Sequence, residues 1–292
     1  MWALSAWSAA PTCNGHLIHG IPSQSDQLLC RTGYALGYNY SRKTADWVAY
    51  RLTPDIHDDG NVDRQNDFRV DTELPAIYQT TPADYVEPVF DQGHLANSEP
   101  LDDTITMNSE TFLMSNMTPQ LPGLNSAGWK GLENRERKWT DNRGELFIYA
   151  GPLFEGGLPA FIGNGVPVPT HYWKVIYDPA AQEAIAFIFP HRRVLTSELS
   201  LLLVSVNEVE IRSGLNFLTA LADATEETIE QSQPLTQWAG LDFPSAPVSV
   251  VLDTGPHSQA CCKICRVGKA CGNSCISRSN QCHQSSGCAC DG

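Results

Sequence analysis

Apolar and polar positions along the chain alternate mostly with the period of β-strands. In Asp46–Thr53, DWVAYRLT, Val48, Tyr50 and Leu52 fall on one side and Trp47, Ala49 and Arg51 on the other, and Pro54 ends the run. A short strand is expected at Tyr34–Tyr40. Gly144–Ala150, GELFIYA, is a continuous apolar run, which predicts a buried strand stopped by Gly151-Pro152. His171–Tyr177 and Ala184–Phe189 flank DPAAQE and predict a hairpin. Val89-Phe90 reads as the end of a strand feeding His94, and Thr111–Met117, TFLMSNM, as a second strand-like run. Helical spacing occurs at Asn125–Trp139, with Ala127, Leu132 and Trp139 inward and Arg135, Arg137 and Lys138 outward, weakened by Gly128 and Gly131. It occurs again at Glu208–Ala222 through Val209, Leu215, Leu218 and Leu221. Leu201–Val206 fits either a strand or a helix start, and Leu74–Asp84 is irregular. Residues 223–258 carry no strong pattern and read as a wrap-around segment becoming a linker. The pattern as a whole predicts a strand-rich α+β domain without internal repeats.

Composition narrows this picture. The 292 residues are 42% hydrophobic and 18% charged, the balance of a folded globule. No apolar run approaches the roughly 18 residues of a spanning helix. Ten cysteines are present. Cys13 and Cys30 are early and would close a loop of about 18 residues, a crosslink that typically stabilises by about 3 kcal/mol; two buried free thiols are the alternative. The other eight crowd the end of the chain. An even count with a dense terminal cluster favours disulfides and an oxidising compartment, so a secreted or periplasmic location is expected. Residues 1–12 read as a signal-peptide remnant or flexible terminus, 13–250 as the main domain, 251–260 as a linker and 261–292 as a cysteine-rich module.

The net charge of −14 is unusual for a protein that handles polyphosphate, which normally calls for a basic footprint. The charge is uneven: Lys263, Arg266, Lys269 and Arg278 against Asp291 leave the tail at +3 and the remainder at −17. A bound cation and a few local arginines would have to supply contact with a phosphate. The polar loop His57–Asp71 holds Arg64 and Arg69 among acids, as a solvated loop or as arginines held to face a phosphate.

Three stretches hold candidate chemistry: FDQGHLANSE (Phe90–Glu99), SNMTPQ (Ser115–Gln120) and LNSAGWKGLENRERKW (Leu124–Trp139). Phosphodiester hydrolysis needs a base for water and charge neutralisation on the phosphate and the leaving oxygen. A histidine of pKa about 6.5 can be the base. Mg²⁺ can do the rest and often takes only one or two protein ligands. Asn125 and Glu133 are eight residues apart. On an α-helix that is about 80° around and about 12 Å along, so Glu133 is placed to orient waters of a cation that Asn125 binds. Taken singly, His94 reads as a loop or core histidine, Asn125 as a helix cap and Glu133 as a solvated charge.

Together, Asp91-Gln92-Gly93-His94, Ser115-Asn116-Met117-Thr118-Pro119-Gln120, and Leu124-Asn125 with Trp129 and Leu132-Glu133 resemble the DNA/RNA non-specific endonucleases. These ββα-metal, or His-Me finger, nucleases carry the pattern DRGH, SN-x-x-PQ and LN-x-x-x-W-x-x-LE. The resemblance extends over roughly residues 30 to 225. It implies an α+β fold with a mostly antiparallel central sheet and flanking helices. It also implies cleavage of DNA and RNA to 5′-phosphorylated products. His94 would be the general base, Asn125 the metal ligand, Glu133 the holder of metal waters and Asn116 a support for the histidine or the phosphate. Arg64, in the spacing Arg64, Phe68, Asp71, would be the phosphate-contacting arginine, with Arg69 second. Mg²⁺ is the implied metal, with Mn²⁺ or Ca²⁺ as alternatives. One position departs: Gln92 stands where the family keeps an arginine, so lower affinity for substrate or a smaller transition-state gain, not inactivity, is expected. An inactive nucleic-acid-binding or adhesion protein on the same scaffold, or a hydrolase of another phosphodiester, are the competing readings. DNA and RNA are the expected partners, and no obligate protein partner is evident.

In the tail, Cys261, Cys262, Cys265, Cys271, Cys275, Cys282, Cys288 and Cys290 read as four disulfides, because so short a segment cannot bury a core unaided. Zn²⁺ at Cys262 and Cys265 with His283 is the less favoured alternative.

Overall fold

The computed structural model describes residues 12–54, 62–86, 89–233, 238, 263–265, 269–271, 274–276 and 289–291. The elements in order are β1 (Gln27–Cys30), β2 (Ala35–Asn39), β3 (Thr44–Leu52), β4 (Asp91–His94), α1 (Ile105–Glu110), β5 (Met117–Gln120), α2 (Lys130–Arg143), β6 (Leu146–Leu153), β7 (Phe161–Ile162), β8 (Val166–Pro167), β9 (His171–Asp178), β10 (Glu183–Pro190), β11 (Leu203–Val204), α3 (Val206–Ser213) and α4 (Asp223–Gln231). Two compact units divide the chain, 1–243 and 244–292.

In the first unit, seven strands form one antiparallel sheet in the order β1-β2-β3-β6-β9-β10-β11. Antiparallel sheets often leave one face in water, but here both are covered, which is why β6, β9 and β10 are apolar almost throughout. On one face, Val48, Tyr50, Ile148, Tyr172, Ile176 and Phe187 pack against Leu132 and Trp139 of α2 and against Trp129. On the other, Trp47, Tyr149, Trp173, Val175 and Ile188 meet Val206 and Val209 of α3 and Ile229 of α4. The alternation in DWVAYRLT therefore sorts side chains between two cores, with Arg51 at the rim pairing with Glu145 at 3.2 Å. Cys13 and Cys30 form the expected disulfide beside this sheet.

Several boundaries differ from expectation. Strand β6 runs through Gly151-Pro152 to Leu153. Beyond Ala150 it pairs with β9 alone, so the missing proline N–H breaks no second ladder. The run TFLMSNM is not a strand. Phe112, Leu113 and Met114 are buried at and just before a 3-10 turn, Met114–Asn116, and the strand begins only at the last residue of the run, Met117. The preceding strand starts at Asp91, with Val89 exposed. The second helix stops at Gly214, a left-handed residue of φ 73°, well short of Ala222. Leu201–Val206 splits into a 3-10 turn ending at Leu202, strand β11 and the start of α3. A further helix, α4, forms within the stretch that carries no sequence pattern; it buries little besides Ile229 and Glu230.

In the second unit, Lys263–Cys265 pairs in parallel with Ala289–Asp291, and Lys269–Cys271 antiparallel with Ser274–Ile276. Cys265 and Cys271 are each held in a disulfide. The expected bonds of Cys261, Cys262, Cys275, Cys282, Cys288 and Cys290 lie outside the described side chains.

The seam of α3 and α4 carries an acidic pair, a half-buried Glu210 and a buried Glu230. Phe217 N donates to Glu210 Oε1 at 2.8 Å, and the Glu230 carboxyl beside it is almost fully buried. Burial, then the proximity of Glu210, raises Glu230 to a pKa of about 8. The folded state thus binds a proton more tightly than the unfolded chain, so stability falls as pH rises from the ordinary carboxylate range to about 8. Glu230→Gln should flatten the decline of Tm between pH 5 and 8 and raise Tm at pH 8 by about 2–4 °C, the shift that about 1 kcal/mol gives at this size. A variant as pH-sensitive as the parent in thermal melts would contradict this.

Candidate active site

Strands β4 and β5 form a separate two-stranded antiparallel ribbon, with Gln92 opposite Pro119 and His94 opposite Met117. Gly93 is dictated by crowding: a Cβ there would lie 2.4 Å from the Gln120 side chain. The ribbon is fastened to the sheet by Tyr172, whose hydroxyl donates to Pro119 O at 2.5 Å. The His94 ring is wedged edge-on between Phe68 and Phe112, with centroids at 5.7 and 5.0 Å. It hydrogen-bonds the backbone of Gln92, while Nε2 is buried without a partner. By elimination Nδ1 makes the Gln92 bond, which leaves a lone pair on Nε2 for a ligand. Burial and the Arg64 charge push the imidazole down to a pKa of about 3, so it is neutral throughout the physiological range.

The segment behind the histidine is held by Asn116, which is fully buried. Its Oδ1 accepts from Ala96 N at 2.8 Å, and its Nδ2 donates to Ala96 O at 3.0 Å and Thr111 O at 2.8 Å. Leu95 N donates to Asn116 O at 3.1 Å. Asn116 therefore fixes the chain just after His94 and is a positioning residue, not one that reaches a phosphate. Its neighbour Ser115 donates to Asp71 Oδ2 at 2.5 Å, and Arg31, also buried, donates to the same oxygen at 2.6 Å. On α1, Asn108 Nδ2 donates to Ser98 O at 2.7 Å, and its Oδ1 accepts from Gln65 N at 3.0 Å. This staples the loop after His94 to the loop carrying Arg64. The Arg64 guanidinium bonds Ser98 Oγ, bonds Asn66 Oδ1 at 2.8 Å and lies 4.8 Å over Phe112.

The helix with Asn125 and Glu133 does not begin as an α-helix. Leu124–Trp129 is a π-helical turn, and α2 follows from Lys130, so the angular spacing of a regular helix does not apply across it. Gly128 and Gly131 leave room for neighbours: a Cβ at either would lie 2.6 Å from Val194 or 2.4 Å from Thr196. Asn125 Nδ2 donates to Asp91 Oδ2 at 2.9 Å, which turns its Oδ1 away as the atom for a ligand. Glu133 and Glu136 both share the buried cation Lys174. Its Nζ is 2.7 Å from Glu136 Oε1 and 3.5 Å from Glu133 Oε1, at ion-pair range without hydrogen-bond geometry to the latter. Tyr50 OH donates to Glu136 Oε2 at 3.0 Å, and Lys174 lies 4.6 Å over the Trp129 ring. One ammonium faces two carboxylates. Burial raises Glu133 to a pKa of about 7, with Lys174 opposing the rise and Glu136 adding to it.

These pieces meet at a cleft of about 560 Å³. Arg64, Gln92, His94, Asn125 and Glu133 all line it. Arg69 does not; it donates to Asp67 Oδ2 at 2.6 Å and Ser109 O at 2.8 Å, engagements that leave no cation aimed at the cleft. Sequence reasoning missed Asp91, Asn97, Ser98, Glu99, Ser126 and Lys130 in the lining. Asp91 was within reach, as a lone carboxylate at the edge of an apolar-to-polar switch. Lys174, a charge between the apolar neighbours Trp173 and Val175, is the same kind of signal.

A family model for DNA/RNA non-specific endonucleases matches residues 14–224. The chain belongs to the DNA/RNA non-specific endonuclease family. Membership makes it a nuclease, a hydrolase of phosphodiester bonds. The match begins earlier than the motif-based span, taking in the disulfide loop. Over 241 residues the chain is 34% identical to a nuclease of Nostoc sp., covering 76% of this chain and 86% of that one. It is 34% identical to human mitochondrial endonuclease G over 68% of this chain and 72% of that one, and 31% identical to the Serratia marcescens nuclease over 70% and 80%. A crystal structure of EndoG in complex with EndoGI superposes with a TM-score of 0.69 at 26% identity, over 74% of this chain and 95% of that one.

The donors suit a divalent cation of the oxygen-seeking kind that such a nuclease uses. Asn125 Oδ1 is left for a ligand, Glu133 Oε1 is buried without a hydrogen bond, and the carboxylates around them exceed the buried cation. Among the described residues no group of three or more His, Cys, Asp or Glu side chains forms a zinc-type site.

Asn116→Ala should leave Ala96 N, Ala96 O and Thr111 O unpaired in the interior. A loss of about 2–4 kcal/mol in chemical denaturation is expected, and a loss under about 0.5 kcal/mol would show that the amide is not what fixes this turn.

Proposed function

We propose that the cleft hydrolyses phosphodiester bonds of DNA and RNA without sequence preference, giving 5′-phosphorylated products, with His94 as general base. The observation that carries this reading is the convergence of His94, Arg64, Asn125 and Glu133 on one cleft from a ribbon, a loop and a helix. His94 Nε2 takes the proton from a water as its oxygen bonds to phosphorus. The bond from phosphorus to the 3′ oxygen then breaks, leaving a 5′ phosphate, and the 3′ oxygen takes a proton from solvent to become a hydroxyl. A Mg²⁺ held by Asn125, its waters oriented by Glu133, would neutralise a non-bridging oxygen and stabilise the departing 3′ oxygen. Arg64, fixed by Ser98 and Asn66, offers its remaining donors to the phosphate. A phosphate beside Arg64 offsets the charge that depresses His94, so substrate strengthens the base. Lack of sequence preference follows from contacts directed at phosphate and not at base edges. The Cys13–Cys30 bond and the oxidised Cys265 and Cys271 support a secreted or periplasmic location.

Supercoiled plasmid and RNA should both be cut in Mg²⁺ and spared in EDTA. His94→Ala should lower kcat by about 10²–10⁴-fold. Wild-type protein inert toward both substrates in Mg²⁺ would remove the proposal, whereas full activity in His94→Ala would remove only the assigned base.

A further inference from the structure

We infer that Lys130 is a second phosphate-binding residue of the cleft, gripping the nucleic-acid strand from the helix wall opposite Arg64. The inference rests on the nuclease reading above and deepens it. Among the described residues, only two of the side chains lining the cleft are cations, Arg64 and Lys130, against the carboxylates of Asp91, Glu99 and Glu133. Arg64 is already committed in part, to Ser98 and Asn66. Lys130 is exposed, and among the described residues it has neither an ion pair nor a side-chain hydrogen bond.

It follows directly on the π-helical turn that carries Asn125, and its side chain lines the same cleft. Lys130 and Glu133 are three apart and share one helix face, so the ammonium stands beside the carboxylate proposed to orient the metal's waters. The bond from Asn125 to Asp91 draws the start of this helix onto the strand that carries Gln92. Gln92, neutral, lines the same cleft. Charge that the ribbon wall lacks at position 92 is thus supplied across the cleft by the helix wall. On a chain of net charge −14, one such contact matters more than it would on a basic nuclease.

The direct test is binding without turnover. Fluorescein-labelled single-stranded DNA and RNA oligonucleotides would be titrated with His94→Ala and with His94→Ala/Lys130→Met in Mg²⁺ across a NaCl series. Loss of Lys130 should weaken Kd about 5–20-fold at low salt for both sugars and make the slope of log K against log salt shallower by about 0.7, one phosphate contact on a single strand. Lys130→Arg should keep the slope, and Gln92→Arg added to Lys130→Met should restore most of the affinity. In the active protein, Lys130→Met should raise KM and change kcat less than about threefold, with an unchanged Tm. Identical Kd and slope with and without Lys130 would overturn the inference. Failure of wild-type protein to cut plasmid would strike the nuclease reading instead, and the binding arm would still decide Lys130.

Discussion

The hydrogen bond from Asn125 to Asp91, 2.9 Å long, joins the two halves of the site. One end belongs to a short ribbon that carries His94, the other to a π-helical turn that leads into α2. Neither element could set the distance between His94 and Asn125 alone. The bond also resolves an ambiguity of the asparagine amide. With Nδ2 committed to a carboxylate, Oδ1 is the atom turned to the cleft, and a hard cation requires oxygen. The rest of the architecture serves this junction. Tyr172 ties the ribbon to the sheet, Asn116 fixes the chain after the histidine, and Gly128 and Gly131 let the helix start approach the Val194–Thr196 segment.

Electrostatics give the same site its chemical character. A body this acidic repels polyphosphate, so attraction must be local. The interior under the cleft holds one lysine between two glutamates, and the energy of an isolated buried charge makes that imbalance costly unless a cation offsets it. On the other side, burial between apolar rings, with the Arg64 charge nearby, keeps His94 neutral and its lone pair free. In the proposed mechanism the acidic interior and the depressed histidine are complementary, the first offering its charge to a metal and the second its lone pair to a water.

Much of this was legible in the sequence, for reasons that differ by element. Strands β3, β6, β9 and β10 could be read because each spans the sheet and sorts its side chains between two cores. Thr111–Met117 misled because burial in a turn and burial in a strand give the same apolar letters. Helix α4 was silent because it lays little more than Ile229 and Glu230 against the body. Motif residues His94, Asn125, Glu133 and Arg64 were found through resemblance, not periodicity, and the structure brings all four to one cleft. What no pattern could reveal was pairing at a distance: Asp91 with Asn125, Glu136 with Lys174, Asp71 with Arg31. Such pairs are made by the fold, and the residues that make them are sequence-distant polar letters of ordinary appearance.

The central claim is that Asp91 orients Asn125 as the ligand of a catalytic divalent cation. Calorimetric titration of Asp91→Ala with Mn²⁺, beside wild type, tests it without reference to turnover. The account predicts affinity weaker by about 10–100-fold, the usual effect of removing a partner that orients a metal ligand, in a protein that still melts cooperatively. Equal Mn²⁺ affinity in the two proteins would contradict it.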